Sequence, residues 1–470
     1  MTGTLLGPAA TVARSAVARL PGGLRVTAVR LATVPRVEVR LAMPLAPRFT
    51  GHAVAADAVT GPVRAARAAV LAACALRGAT CADGTRTETA LGRAGADLVP
   101  TAGADRLALH GGVLAGGLDV LLRAMAAAVS SVTWSEHDVA AARTVLGGQA
   151  AVAARQSAAS ARALLHRHAP GWAGDPQGLP TPELIDAVTS EQVRELHARA
   201  LVPAPARLVL VGDLDPDAAV GAAREAFAGW TGPAARTPDV PGCPGPPPRP
   251  AADFPSGTVG LYPAAREGIA QVLLCAASDD EPLTPALRLA ALVFGGHPES
   301  RVITRLRERH GYTYAVRSWA ESRGAVEPGS RSGGGFPLER GHRLFIGADT
   351  APSKARPLLE GLGDELARMV TDPPSAGEVD RACAHFTGIS LIAWSTQAGL
   401  ADALADPSPQ SPADPEQLRE LLVALARTPP ETVAAAARGA FAPGRFTGVV
   451  TGAAPAFGAG RHWRVTTSAE

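Results

Sequence analysis

One proline-dense segment near the middle of the chain limits the folds that the sequence can adopt. It covers residues 233–255 and reads PAARTPDVPGCPGPPPRPAADFP. Proline has a fixed φ and no amide donor, so this density excludes helix and sheet interiors and favours an extended linker. The sequence therefore predicts two domains of similar size that are joined by a stiff connection.

Composition excludes several classes of protein. The 470 residues carry a net charge of +2, whereas a nucleic acid partner demands a dense field of basic side chains. With 47% hydrophobic and 19% charged residues, the chain is too apolar to be disordered, yet it has no apolar run of membrane-spanning length. Its five cysteines are scattered and form neither a disulfide framework nor a zinc ribbon. Because no secretory signal is evident, we expect a cytoplasmic protein without a membrane partner.

Strand and helix patterns alternate in both halves. Period-2 or continuous apolar runs at 24–31, 36–43 and 207–211 predict strands in the first half, and 270–277, 312–319 and 344–348 do so in the second. Helical patterns occupy 63–76, 114–129 and 217–230, a segment that begins near Ser135, and then 284–294, 352–370 and 376–394. Both halves close on a similar strand, RLVLVGD at 207–213 and RFTGVVTG at 445–452, which indicates an internal duplication. The expected class is α+β, with two similar αβ domains that each carry a mixed or antiparallel sheet with helices on one face.

The common catalytic motifs are missing. There is no phosphate-binding GxxxxGK[ST] loop, no G-x-S-x-G elbow, and no H-x-x-E-H or H-x-x-H among the eleven histidines. His166 and His168 are two residues apart, a spacing that points the two rings to different sides of a helix. A metal set of His166, His168 and Glu136 remains open as an alternative site for an independent hydrolase.

A stronger pattern lies in the second half. From residue 294 the chain reads FGGHPESRVITRLRERHGYTYAVRSW. The apolar positions predict a helix that Gly311 ends, followed at once by a strand that carries Tyr314. A helix-to-strand corner of this kind aims Arg307 and Tyr314 at one point, where a guanidinium and a phenol supply donors for a developing oxyanion.

This segment resembles the second-half signature of the insulinase/pitrilysin-type zinc metallopeptidases. Gly295-Gly296 and the residues that follow match that signature in register, at Ser300, Arg301, Leu306, Arg307, Glu308, Gly311, Tyr314 and Val316. The first half is similar to the same family more diffusely, at LRGAT (76–80), at 92–114 and at RLVLVGDLDP (207–216). The resemblance covers nearly the whole chain and implies two peptidase-like domains that close like a clamshell.

The zinc-binding residues of that family are replaced. When the glycine of LRGAT is aligned with the family's glycine, Ala69 and Ala73 fall at the two zinc-binding histidines and Ala72 at the glutamate base. The distal glutamate ligand falls near Gly148 or Gln149. Alanine offers no ligand or proton-transfer group, so we expect no metal and no cofactor in this chain, and no peptidase activity of the chain alone.

The sequence retains Arg307 and Tyr314 although the zinc-binding residues are replaced, and this combination indicates a function. Members of the family divide the work between two chains, and the resemblance implies that this chain is the non-zinc subunit of a bacterial heterodimer. Zinc is then expected in a homologous partner with H-x-x-E-H, and the substrate is a peptide, for which leader-peptide removal is one possible role. The alternative is a catalytically inert peptide-binding or structural scaffold of the same fold. The expected organisation is an N-terminal extension (1–22), a peptidase-like domain without zinc ligands (23–232), a linker (233–257), a domain with the Arg/Tyr pair (258–455) and a tail (456–470).

Overall fold

A computed structural model of the protein describes most of the chain. The described residues are 14–45, 61–77, 79–80, 84–103, 106–130, 134–168, 180–204, 206–231, 255–263, 268–278, 281–322, 326–331, 337–339, 341–406, 412–452 and 460–467. The predicted linker at 233–257 therefore lies outside the described residues except for 255–257.

The first half forms a mixed sheet of six strands. In spatial order these are β1, β2, β6, β3, β5 and β4, and only the β2–β6 pair is parallel. The bounds are β1 (Ser15–Arg19), β2 (Arg25–Arg30), β3 (Arg36–Pro44), β4 (Asp97–Ala102), β5 (Arg106–Leu114) and β6 (Arg207–Gly212).

The second half repeats this topology. Its sheet has the order β14, β7, β13, β8, β12, β9, so that β7, β13, β8, β12 and β9 take the places of β2, β6, β3, β5 and β4. The exception is β14, which pairs in parallel with β7, whereas β1 is antiparallel to β2. The bounds are β7 (Thr258–Tyr262), β8 (Ala270–Ser278), β9 (Ala315–Ser322), β12 (His342–Thr350), β13 (Thr447–Thr451) and β14 (Arg464–Thr467), with a separate antiparallel pair of β10 (Val326–Arg331) and β11 (Pro337–Glu339).

Helices connect and cover the strands. In the first half they are α1 (Gly61–Cys74), α2 (Thr87–Ala94), α3 (Leu118–Ser130), α4 (Glu136–Ala154), α5 (Ser157–His168), α6 (Pro182–Asp186), α7 (Ser190–Ala200) and α8 (Pro216–Ala226). In the second half they are α9 (Pro285–Gly295), α10 (Ala355–Thr371), α11 (Ala376–Trp394), α12 (Gln397–Ala405), α13 (Pro415–Ala426) and α14 (Pro430–Ala440). A π-helical turn (Ile303–Arg309) precedes β9, and three short 3-10 turns span Ala115–Gly117, Pro352–Lys354 and Pro443–Arg445.

The predicted α+β class with two similar domains is confirmed. One detail differs: helices were predicted on one face of each sheet, and they cover both faces. Each sheet buries its main core under the helices of its own half. On the opposite faces, α5 of the first half packs on the second sheet through Ala161 and Leu165, and α12 of the second half packs on the first sheet through Leu400 and Leu404. Helices therefore cover both faces, which is why strands such as β6 are continuous apolar runs instead of alternating ones.

Several boundaries differ from the sequence-based ones. The helix predicted at 114–129 begins at Leu118, because β5 continues to Leu114 and a 3-10 turn follows it. Strands β1 and β14 lie in segments that were assigned to the N-terminal extension and the C-terminal tail. The predicted cap of α4 is present as a capping box of Ser135 and Asp138. Among the described residues, no helix combines the length and apolarity needed to cross a membrane.

Candidate functional site around the Arg307–Tyr314 corner

The predicted helix-to-strand corner is present and begins with a tightly anchored turn. Val302 and Leu306 are buried and face the second core. The turn ends at Arg309, and Gly311, two residues later, donates its amide to the carbonyl of Arg307 at 3.1 Å and has a φ of +58°. A left-handed φ is strained for a residue with a Cβ, so glycine is the residue that this C-terminal end favours. The turn is π-helical, which the spacing of apolar residues does not reveal.

Arg307 and Tyr314 come together across this corner. The Arg307 Cζ lies 4.7 Å from the centroid of the Tyr314 ring, within the range of a cation–π contact. The Tyr314 side chain is 82% exposed, and Arg307 is exposed as well. Within the described part of the chain, neither polar end makes a further hydrogen bond or ion pair. Both can therefore donate to a group that approaches from outside.

Tyr314 lies just before β9 and not within the strand that was expected to carry it, because β9 begins at Ala315. Two threonines hold this segment to the neighbouring strand. The Thr313 hydroxyl donates to the Asp349 carbonyl at 2.6 Å, and the Thr350 hydroxyl donates to the Tyr312 carbonyl at 2.6 Å. The side chain of Thr313 and the carbonyl of Tyr312 are thus bonded to β12, while the phenol of Tyr314 is exposed.

Ion pairs fix the start of the π-helical turn. Arg301 binds both carboxylate oxygens of Glu378, at 2.7 and 2.9 Å, and Arg305 lies 3.1 Å from the buried Glu365. Burial alone opposes ionisation of Glu378, but hydrogen bonds from Arg301 and Ser375 outweigh it and lower its pKa to about 2. Burial raises the pKa of Glu365, and the charge of Arg305 opposes that shift. The turn is therefore attached at two points to α10 and α11.

The positions at which the resemblance predicts zinc ligands lie on two helices of the first half and offer no ligands. Ala69, Ala72 and Ala73 lie on α1, where Ala72 is buried and the other two are half-buried. Gly148 and Gln149 lie exposed on α4. Methyl groups, a glycine and a carboxamide do not form a zinc site. The described residues contain no group of three or more His, Cys, Asp or Glu side chains in reach of one ion.

The remaining potential donors near α1 are equally unsuited to a metal. Cys74 ends α1 and is buried, and burial together with the charge of Asp138 raises the pKa of its thiol to about 11. A thiol with that pKa is not a ready ligand at neutral pH. In the alternative metal set, Glu136 is exposed in the first turn of α4. His166 and His168 end α5, and their side chains lie outside the described residues.

A cavity of about 810 Å³ opens beside Ala69. It lies between the first sheet and α12, and an ion pair crosses it: Arg40 Nε donates to Asp402 Oδ1 at 2.6 Å, with His110 Nδ1 3.8 Å from the same oxygen. Burial, and then the charge of Arg40, lower the pKa of His110. Sequence analysis missed this cluster, although a charged Arg40 in the middle of a buried strand was a visible signal.

Comparisons with known proteins agree with this architecture. Residues 187–386, which include the corner, match the family model described as "Peptidase M16 inactive domain". The crystal structure of a peptidase M16 inactive domain from Pseudomonas fluorescens superposes with a TM-score of 0.71 at 19% identity, covering 96% of this chain and 100% of that one. The structure of a protease from Helicobacter pylori gives a TM-score of 0.74 at 14% identity, covering 94% and 100%.

No curated protein matches the chain. At these identities the solved structures establish the fold, while the family model identifies the segment that bears Arg307 and Tyr314. The resemblance to insulinase/pitrilysin-type peptidases is therefore confirmed in the fold, and residues 187–386 are similar to the peptidase M16 inactive domain.

Proposed function

We propose that this chain is the non-zinc subunit of a heterodimeric metallopeptidase. In this proposal Arg307 and Tyr314 reach into the site of a homologous partner that carries H-x-x-E-H, and they bind the scissile carbonyl or its tetrahedral oxyanion. The observation that carries the proposal is the exposed Arg307–Tyr314 pair, whose donors are unused within the described residues, in a chain with alanine at the zinc positions.

The chemistry of the pair suits this role. A guanidinium carries a permanent positive charge and several N–H donors, and a phenol adds one O–H donor. Preorganised donors stabilise an oxyanion because they need not reorient as charge develops. The ring of Tyr314 against Arg307 restricts both side chains, and the bonded backbone around Thr313 restricts the corner. The partner's zinc would supply the activated water, and this chain would supply charge stabilisation.

The edges of the two sheets favour a peptide substrate. In the described part of the chain β9 and β4 are the terminal strands of their sheets on corresponding sides. An extended peptide can add to such an edge through main-chain hydrogen bonds. Pro100 removes one donor from β4, whereas β9 has no proline and begins directly after Tyr314. We therefore propose that β9 positions the peptide beside the pair. Leader-peptide removal and a cytoplasmic location remain predictions to which no residue is assigned.

Reconstitution tests the proposal. The chain is mixed with a homologous chain that has H-x-x-E-H and is encoded beside it, and cleavage of an unfolded peptide library is measured for each chain and for the mixture. We expect activity only in the mixture. Loss of one oxyanion donor costs roughly 100-fold in rate, so Tyr314→Phe should lower kcat by about that factor.

The Tyr312→Phe variant is the matched control, since it removes a hydroxyl two residues away from Tyr314. It should leave turnover unchanged. If Tyr314→Phe assembles with the partner and also turns over normally, the chain is an inert scaffold and the proposal fails. Stoichiometric zinc and peptidase activity in the isolated chain would instead favour an independent metal site.

A further inference from the structure

The chain contains a single lysine, and that lysine contacts the candidate site. Lys354 ends the short 3-10 turn that leads from β12 into α10. Its Nζ donates to the carbonyl of Gly311 at 2.6 Å. Gly311 lies two residues beyond the end of the π-helical turn, three positions before Tyr314 and four after Arg307.

This contact gives the Gly311 carbonyl a hydrogen-bond donor. Amides after the turn use the carbonyls of Leu306 and Arg307, which accept from Tyr312 and Gly311. The carbonyl of Gly311 lies just beyond the C-terminal end of the turn, and a cation is favoured near that negative end of the helix dipole. An ammonium group is a compact point donor that suits one carbonyl, and a guanidinium can also direct a single N–H donor at it.

The same short segment also holds the next peptide group. Thr350 ends β12 and donates to the carbonyl of Tyr312, while Lys354, the N-cap residue of α10, donates to the carbonyl of Gly311. Two consecutive carbonyls of the corner are therefore bonded to residues 350–354. One bond fixes the strand side of the corner, and the other fixes the side that faces the π-helical turn.

We propose that Lys354 is a positioning residue for the Arg307–Tyr314 pair. By fixing the orientation of the Gly311 peptide, its ammonium sets the angle at which the segment leaves the π-helical turn. That angle places the Tyr314 ring against the Arg307 guanidinium. The catalytic meaning of this arrangement rests on the proposed function, but the positioning itself is a property of the isolated chain.

Tyrosine NMR of the full chain tests the positioning without any partner. The sequence has three tyrosines, so labelling with [¹³Cε]tyrosine gives three resonances, of Tyr262, Tyr312 and Tyr314. In Lys354→Met we expect the Tyr314 resonance to move toward that of a free tyrosine side chain, while buried Tyr262 stays in place. Lys354→Arg, which keeps a cationic donor, should restore most of the shift. Arg356→Met removes an exposed cation from the same helix and should change none of the three.

An unchanged Tyr314 resonance in Lys354→Met would overturn the proposal, and so would a Lys354→Arg spectrum identical to that of Lys354→Met. If Lys354→Met displaces the Tyr262 resonance as well, a second measurement uses the unaltered chain labelled with [¹³Cε]lysine, which gives one resonance. Its relaxation must show a restrained side chain. Relaxation like that of free lysine refutes the inference. Failure of the proposed function is separate, because it appears as normal turnover in Tyr314→Phe while these NMR results stand.

Discussion

The bidentate pair of Arg301 and Glu378 gives the sharpest stability prediction. Glu378 accepts two bonds from Arg301, and its carboxylate also closes the capping box of α11 by accepting from the Ser375 amide. Glu378→Gln keeps an acceptor for the cap but removes the charge that Arg301 needs. The substitution therefore measures the contribution of the ion pair while the helix cap is kept.

The magnitude follows from the pKa of Glu378. Its value is lowered from 4.5 to about 2, and its side chain is only 22% exposed, so solvent screens the pair weakly. One pKa unit corresponds to 1.36 kcal/mol, which gives the charged form about 3 kcal/mol of stabilisation. Removing one partner of a buried pair costs a similar amount, about 3–5 kcal/mol. We expect Glu378→Gln to lower the free energy of unfolding of the second half by about 3 kcal/mol.

The sign of the pH dependence is fixed by the direction of that shift. A depressed pKa in the folded state means that the stabilisation is complete above the unfolded value of about 4.5 and decreases as the pH falls toward 2. The difference in free energy of unfolding between the parent chain and Glu378→Gln should therefore be about 1 kcal/mol smaller at pH 3.5 than at pH 7.

Urea denaturation at both pH values, with hydrogen exchange of the α11 amides at pH 7, measures this effect. The chain provides a matched control in the capping box of α4, where Asp138 corresponds to Glu378. Asp138 has no buried arginine partner in that cap, so Asp138→Asn should cost only about 0.5–1 kcal/mol. The predicted role of the Arg301–Glu378 pair would be refuted if the two variants lost equal free energy of unfolding. It would also be refuted if the loss in Glu378→Gln were as large at pH 3.5 as at pH 7.

Two further predictions concern the corner and the cavity. Gly311→Ala places a Cβ at a φ of +58° and should cost about 1 kcal/mol, with altered tyrosine resonances at the corner but not at buried Tyr262; a neutral effect on both would contradict the assigned backbone strain. Arg40→Met removes a buried cation that bonds both Glu38 and Asp402 and should cost about 3 kcal/mol in urea denaturation. A loss of less than about 1 kcal/mol in the free energy of unfolding would contradict this, because it would show that the ion pairs of Arg40 are as weak as exposed surface pairs.

Much of the fold was predictable because local patterns coincide with buried faces. The runs at 36–43 and 207–211 are strands β3 and β6, and the Ser135 cap begins α4. Gly311 lies just beyond the end of the turn with a left-handed φ, as expected for a glycine that follows a helical segment. Boundaries were less accurate where elements follow one another closely, since β5 ends at Leu114 and only a three-residue 3-10 turn separates it from α3.

The π-helical turn and the exchanged helices could not be predicted from these patterns. A π-helical turn differs from an α-helical one by one residue in hydrogen bonding, and its apolar spacing looks the same over seven residues. The packing of α5 and α12 on the sheets of the opposite halves depends on contacts between residues far apart in sequence. The Arg40–Asp402 pair, which spans both halves, is a consequence of that exchange.

The sequence by itself determined that residues 69, 72 and 73 are alanines, which carry no group that binds a metal or moves a proton. It also predicted that Arg307 and Tyr314 of the second half lie close enough together to act as a pair of donors. Tertiary structure alone decided that Arg307 and Tyr314 meet at 4.7 Å and stay exposed, and that Lys354 bonds the peptide between them. The physical reason is that side-chain chemistry belongs to each residue, whereas distance and exposure arise only when β12, α10 and α11 pack around the corner.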